Sequence, residues 1–186
     1  EVLALEATEA AALLQGRRAF QAGRLEDARV AFAEALARNP ESIAGRVNLA
    51  TTLVQLGRLD EARGLFEETL ERMPENRASL FNLAVLDEND APERAATRYQ
   101  LLADLNPADA EAHFRLGIVL ANLGRIDEAL VSLENAKSDL TWFARASQLS
   151  VQIMLAVGDE AGAVTLLEEA RAVAPRDPAL VRSLIS

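Results

Sequence analysis

A six-residue phrase recurs along this chain of 186 residues at nearly fixed spacing. Gly-Arg-Leu-Glu-Asp-Ala at 23–28 returns as Gly-Arg-Leu-Asp-Glu-Ala at 57–62 and as Gly-Arg-Ile-Asp-Glu-Ala at 124–129, with a looser copy, Gly-Asp-Glu-Ala-Gly-Ala, at 158–163. Its glycines, Gly23, Gly57, Gly124 and Gly158, are 34, 67 and 34 residues apart, and Pro40, Pro74, Pro107 and Pro175 are 34, 33 and 68 apart. Two separate punctuation marks therefore keep one period, with a single deletion in the third unit, and a period of this length means stacked supersecondary units. Each unit reads as two helices. The apolar series Val47, Leu49, Ala50, Leu53, Val54 and Leu56 precedes a glycine that can close the first helix in the left-handed conformation. An acidic pair (Glu26-Asp27, Asp60-Glu61, Asp127-Glu128) then suits the positive N-terminal end of the second helix. Ala62, Leu65, Phe66, Thr69 and Leu70 form that helix's apolar stripe, and proline ends it because it cannot extend the ladder of backbone hydrogen bonds. Such a hairpin cannot bury its stripe alone and must stack on its neighbours.

Composition agrees with this reading and removes several classes of function. Alanine and leucine, 36 and 30 residues, dominate an apolar half with only 4% aromatics, which fits helices and disfavours an all-β fold. Cysteine is absent and His113 is the single histidine, so disulfides, thiolate nucleophiles and multi-histidine metal sites are ruled out. The net charge of −10 disfavours nucleic acid and anionic membrane surfaces as partners. Arginine and lysine are spread evenly along the units, with no basic stripe. No apolar run is long enough to span a bilayer, and the first residues do not read as a signal peptide. The absence of an initial Met is expected of a processed protein or an excised domain. Arginine outnumbers lysine 18 to 1, which points to a bacterium by coding bias or thermophily. The absence of cysteine fits either cytoplasm or periplasm.

These residues resemble the tetratricopeptide repeat family. Its 34-residue pattern has a large residue at position 4, Leu at 7, Gly or Ala at 8, a large residue at 11, Ala at 20, an aromatic or Leu at 24, Ala at 27 and Pro at 32. The unit from Ala110 matches best, through Leu116-Gly117, Leu120, Gly124, Ala129, Leu133 and Ala136, with Thr141 in place of the proline. The unit from Glu9 has Gly16, Ala28, Phe32, Ala35 and Pro40 but Gln15 in the leucine slot. The unit from Ile43 has Leu49-Ala50, Leu53, Ala62, Phe66 and Pro74, with Thr69 for alanine. The unit from Arg77 has Leu83-Ala84, Ala95, Tyr99 and Pro107, and the unit from Ala144 keeps Gly158, Ala163, Leu167, Ala170 and Pro175 but has Ser150-Val151 for Leu-Gly. The resemblance implies an all-α fold, a right-handed superhelical solenoid of antiparallel helix pairs. It would form a single domain over residues 1–186, with repeats at 9–42, 43–76, 77–109, 110–143 and 144–177 and a capping helix at 178–186.

Three places depart from the pattern. Asp87-Glu88-Asn89-Asp90-Ala91-Pro92 replaces the glycine turn of the third unit, where Asn89 can take the left-handed conformation and Asp90 or Ala91 can cap the next helix with Pro92 in its first turn. Trp142 and Phe143 at the fourth junction are expected to pack between repeats, with a partly exposed Trp142 as an interface anchor the alternative. The apolar residues Leu180, Val181, Leu184 and Ile185 are expected to cover the last repeat, and Val2, Leu3 and Leu5 to extend the first helix or to dock into the groove.

No constellation for catalysis emerges. Glu67-Glu68 and Glu168-Glu169 are adjacent on second helices, where neighbours diverge by about 100°, and read as solvated. His113, in the position-4 slot, reads as a packing residue. The glycines are spaced for turns and form no phosphate cradle. The sequence thus predicts a non-enzyme with no catalytic residue, no metal and no cofactor.

The resemblance further implies that first helices line a concave groove. Mapping its inward positions onto this chain selects Arg17, Phe20, Asn48, Thr51, Phe81, Asn82, Val85, Phe114, Arg115, Ile118, Gln148 and Gln152 as a peptide-binding surface. The family's clamp for a C-terminal carboxylate is poorly matched, because Asn82 and Arg115 fit it but Val47, Thr51 and Glu111 do not. The expected function is a scaffold or adaptor that holds a peptide or helix of another protein. The alternatives are a self-assembling scaffold that forms homo-oligomers through its terminal helices, and a chaperone for secreted or membrane-targeted substrates.

Overall fold

The computed structural model describes residues 2–173, with side chains described from Thr8 onward. Ten helices and no strands are present among these residues: α1 (Val2–Gln21), α2 (Leu25–Arg38), α3 (Ile43–Gln55), α4 (Leu59–Arg72), α5 (Arg77–Asp87), α6 (Pro92–Leu105), α7 (Ala110–Asn122), α8 (Ile126–Ala136), α9 (Leu140–Ala156) and α10 (Glu160–Val173). The chain divides into two compact units, Glu1–Leu86 and Asp87–Ser186. In the first, α1 packs on α2, α2 on α3 and α3 on α4; in the second, α6 through α10 pack in the same serial order. In addition α1 touches α3 and α7 touches α9, so the first helices of successive pairs lie side by side. This is the all-α helical solenoid architecture that the repeats predict.

The recurring glycine closes helices by one mechanism used four times. Gly23, Gly57, Gly124 and Gly158 have φ of 71°, 74°, 75° and 85°, the left-handed region that a side chain disfavours. In each case the glycine N–H and the next residue's N–H bond back to helix carbonyls, as in Gly57 to Val54 at 3.0 Å and Arg58 to Leu53 at 2.9 Å. These are the paired bonds of the Schellman motif, which satisfy carbonyls the helix end would otherwise leave unpaired.

Alanine explains how so few aromatics fill the core. Ala28, Ala62, Ala95, Ala129 and Ala163, one per repeat at the same position, are buried, and so are Phe32, Phe66, Tyr99, Leu133 and Leu167 one turn later. Two of these large side chains lie against a glycine of the preceding helix. A Cβ on Gly16 would lie 2.5 Å from Phe32 Cε1, and one on Gly117 would lie 2.6 Å from Leu133 Cγ.

Side chains cap four first helices and also the second helix α10, where Asp159 accepts from the Gly162 N–H at 2.9 Å. Ser42, Asn76, Asp109 and Asp139 cap first helices, accepting from the N–H of Gly45, Ser79, Ala112 and Thr141 at 3.0, 3.0, 3.2 and 2.7 Å. Second helices α4 and α8 begin behind an arginine that pairs with an acid in the first turn, Arg58 with Glu61 at 2.6 Å and Arg125 with Glu128 at 2.7 Å.

Two departures differ from expectation. No residue other than glycine has a positive φ among the described residues, so Asn89 does not take the left-handed conformation. The α5–α6 turn is held by side chains instead. Buried Asp87 pairs with Arg98 and with Arg94, at 3.4 Å for the latter, while Pro92 opens α6 as expected. At the fourth junction α9 starts at Leu140, a full turn before the 144 expected from the period. With no proline to exclude helix there, the Asp139 cap sets the start. Helix α1 runs from Val2, so residues 2–5 extend the first helix. The expected capping helix at 178–186 lies outside the described residues.

Candidate peptide-binding surface

The sequence-predicted residues fall on one face of each first helix, at three- and four-residue spacing: Arg17 and Phe20 on α1, Asn48 and Thr51 on α3, and Phe81, Asn82 and Val85 on α5 in the first unit. Phe114, Arg115 and Ile118 on α7 and Gln148 and Gln152 on α9 occupy the second. None of the twelve is buried. All are open to solvent in part or in full, unlike Ala50, Leu83 and Leu116, which share their helices and fill the core.

Four of them meet in one place. Arg17, Phe20, Asn48 and Thr51 line a pocket of about 110 Å³ between α1 and α3, together with Gln21 and Phe32. Positional mapping missed the last two. Gln21 lies one turn beyond Arg17, and Phe32 projects toward the groove because Gly16 has no side chain to block its ring. Neither the Arg17 guanidinium nor the Asn48 amide has an ion-pair or hydrogen-bond partner among the described residues. Thr51 donates to the Val47 carbonyl at 2.9 Å, and the Asn82 amide donates to that of Ala78 at 2.8 Å.

In the second unit the polar groups are more heavily engaged. Arg115 donates to Glu88 at 3.1 Å, and Glu88 also accepts from the Tyr99 hydroxyl at 2.7 Å. Burial, with the hydrogen bond to Glu88 behind it, pushes the Tyr99 phenol well above its ordinary range, so it stays a donor. Phe114 carries Trp142 at a ring-centroid distance of 4.9 Å, and the Arg145 guanidinium lies 5.5 Å from the Trp142 ring. Of the expected pair, Trp142 packs on Phe114 of the preceding first helix and stays half-buried, while Phe143 packs on the cluster of Val151, Ala163, Leu167 and Ala170.

His113 is a packing residue: it is buried, and its Nε2 lies 3.2 Å from the Pro107 carbonyl, to which it can only donate. Arg46, two periods earlier in the same slot, likewise donates to the Pro40 carbonyl and is also buried. Sequence reading overlooked Arg46, although its spacing from His113 matches the doubled period. Two wider pockets were missed as well. One of about 360 Å³ includes Leu49, Leu53 and Arg58, and one of about 410 Å³ includes the repeat-equivalent Leu116, Leu120 and Arg125. Among the described residues no three or more His, Cys, Asp or Glu side chains are grouped to hold a metal, and no helix is long and apolar enough to cross a membrane.

Serial helix pairs closed by glycine, packed through alanine and open along one face of their first helices define a helical-repeat protein. Models of the tetratricopeptide repeat match residues 19–86 and 83–139, well over half of the sequence, and the chain belongs to that family. Among solved structures it is similar to MamA, with a TM-score of 0.76 and 22% identity over 83% of this chain and 91% of that one. It is also similar to TTC0263, a thermophilic TPR protein of Thermus thermophilus, with a TM-score of 0.62 and 26% identity over 94% and 96%. YrrB, described as a TPR protein with an unusual peptide-binding site, has a TM-score of 0.74 and 22% identity over 92% and 89%. A comparison with curated protein sequences finds no match. Members of the family are generally non-catalytic, and the fold supports a scaffold for protein–protein interaction.

Proposed function

We propose that this chain is an adaptor that holds a peptide or helix of a partner protein against the exposed face of its first helices. The observation that carries this reading is, in each unit taken by itself, a set of apolar and amide side chains left partly or fully open to solvent on the first helices, with Phe20 and Phe114 also resting on the core. Phe20, Phe81 and Phe114 offer apolar area for anchor side chains, while Asn48 and the glutamines can pair with peptide backbone groups. The similarity of fold to YrrB, whose description names a peptide-binding site, is consistent with it.

Selection of peptides from a random library displayed on phage, with the purified chain as bait, tests the reading. Selected peptides are expected to lose at least about tenfold in affinity to a variant carrying Phe20→Ala and Phe81→Ala, as removal of anchor contacts predicts. An empty selection, or affinity unchanged in a variant of intact helicity, contradicts it.

A further inference from the structure

We infer that the pocket between α1 and α3 reads an acidic side chain within the bound peptide, with Arg17 as the residue that selects it. The inference rests on the peptide-binding reading above and adds to it the chemistry of one anchor.

Arg17 and its neighbour Arg18 differ from most arginines of the first unit in facing no acid among the described residues, and of the two only Arg17 lines the pocket. In the first unit Arg24 faces Asp27 at 3.0 Å, Arg29 faces Glu26 at 2.7 Å, Arg58 faces Glu61 at 2.6 Å and Arg72 faces Glu41 at 3.3 Å. Arg17 faces no carboxylate among the described residues, and no acid lines its pocket. In a chain of net charge −10 this is a local excess of donors and positive charge. Arginine can only donate, and the Asn48 and Gln21 amides add N–H groups on the same wall. A planar guanidinium flanked by amides matches a carboxylate.

Size and floor narrow the ligand further. At about 110 Å³ the pocket is well below the roughly 300–1,000 Å³ of small-molecule sites, and it has room for one short side chain. Phe20 and Phe32 supply an apolar floor on which the methylenes of glutamate or aspartate lie while the carboxylate turns to Arg17. The partner segment is therefore an apolar peptide carrying one acidic residue at a fixed offset from its hydrophobic anchors.

The same phage selection provides the test, because its peptides are fused at their C-termini and carry carboxylates only on side chains. Wild-type protein is expected to enrich Asp or Glu at one position. Arg17→Gln is expected to weaken the amidated synthetic peptide by about tenfold, and Arg17→Glu to shift the selected residue to Lys or Arg. Arg17 is exposed, so the fold is expected to survive both substitutions, and circular dichroism checks this. Peptides selected without an acid, or acidic peptides that bind Arg17→Gln as tightly as wild type, overturn the inference and leave peptide binding intact. Binding that depends on a free C-terminal carboxylate overturns it too. An empty wild-type selection removes the peptide-binding reading itself and this inference with it.

Discussion

Gly117 and Gly64 are both helical glycines with opposite physical roles. A Cβ at Gly117 would press on Leu133, a core side chain with no room to retreat, whereas one at Gly64 meets nothing within 4 Å. Gly117→Ala is therefore expected to destabilise the fold by about 1–3 kcal/mol through overpacking. Gly64→Ala is expected to stabilise it by about 0.5–1 kcal/mol, by narrowing the unfolded ensemble and improving helix propensity. Urea unfolding followed by circular dichroism checks both, and equal effects of the same sign would contradict the close approach of α7 and α8. Arg46 is the residue that fits these rules least comfortably. It is buried, yet its Nε and Nη1 lack hydrogen bonds, and Glu68 Oε2 approaches no closer than 3.4 Å. Its one firm contact is the Pro40 carbonyl, the clasp that His113 repeats on Pro107.

At the scale of the element, acids at helix starts make stability depend on pH. Hydrogen bonds from Arg58 and Arg125 hold the Glu61 and Glu128 carboxyls below their ordinary value of 4.5, and Arg29 does the same for Glu26. The Asp139 cap is lowered by its bonds to Thr141. A carboxylate whose pKa falls on folding lends stability that is present above the unfolded value and lost as pH drops through the folded one. The melting temperature is thus expected to hold between about pH 8 and 5.5 and to decline below about pH 4.5, less steeply in a variant with both Arg58→Ala and Arg125→Ala. Calorimetry across that range decides it, and an unchanged slope in the variant would contradict this role for the pairs. The glycine closures were legible in the sequence because a positive φ has a residue preference. The Asp87–Arg98 and Glu88–Arg115 pairs were not, since ion pairing across helices depends on tertiary placement and leaves no periodic mark. The early start of α9 escaped for a related reason: losing Pro at 141 withdrew a stop signal, and the Asp139 cap became visible only with its geometry.

At the scale of the whole molecule, the apolar side chains of the described residues divide between the core and the surface of both helices of each pair. Most of the buried part, chiefly alanine and leucine at fixed repeat positions, closes the contacts between serial helices; the exposed part lies both on first helices, beside amides and Arg17, and on second helices, at Val30, Leu101, Leu105, Val131 and Val164. Repeat position placed the twelve candidate residues at the surface, because the pattern that assigns core slots also assigns the slots left over. It could not reveal that four converge on a pocket, that Arg115 is already engaged, or that Phe32 supplies a floor. Those facts depend on side-chain reach and on which neighbour is small. The account's central claim, that this face receives a peptide, is tested most directly by titrating the isotope-labelled chain with a phage-selected peptide and following its amide and side-chain resonances by NMR. The account predicts concentration-dependent shifts at Arg17, Phe20, Asn48, Thr51, Phe81 and Asn82, with the second helices α2 and α4 largely unmoved. Shifts confined to α2 and α4, or no shifts at peptide concentrations that saturate binding, would contradict it.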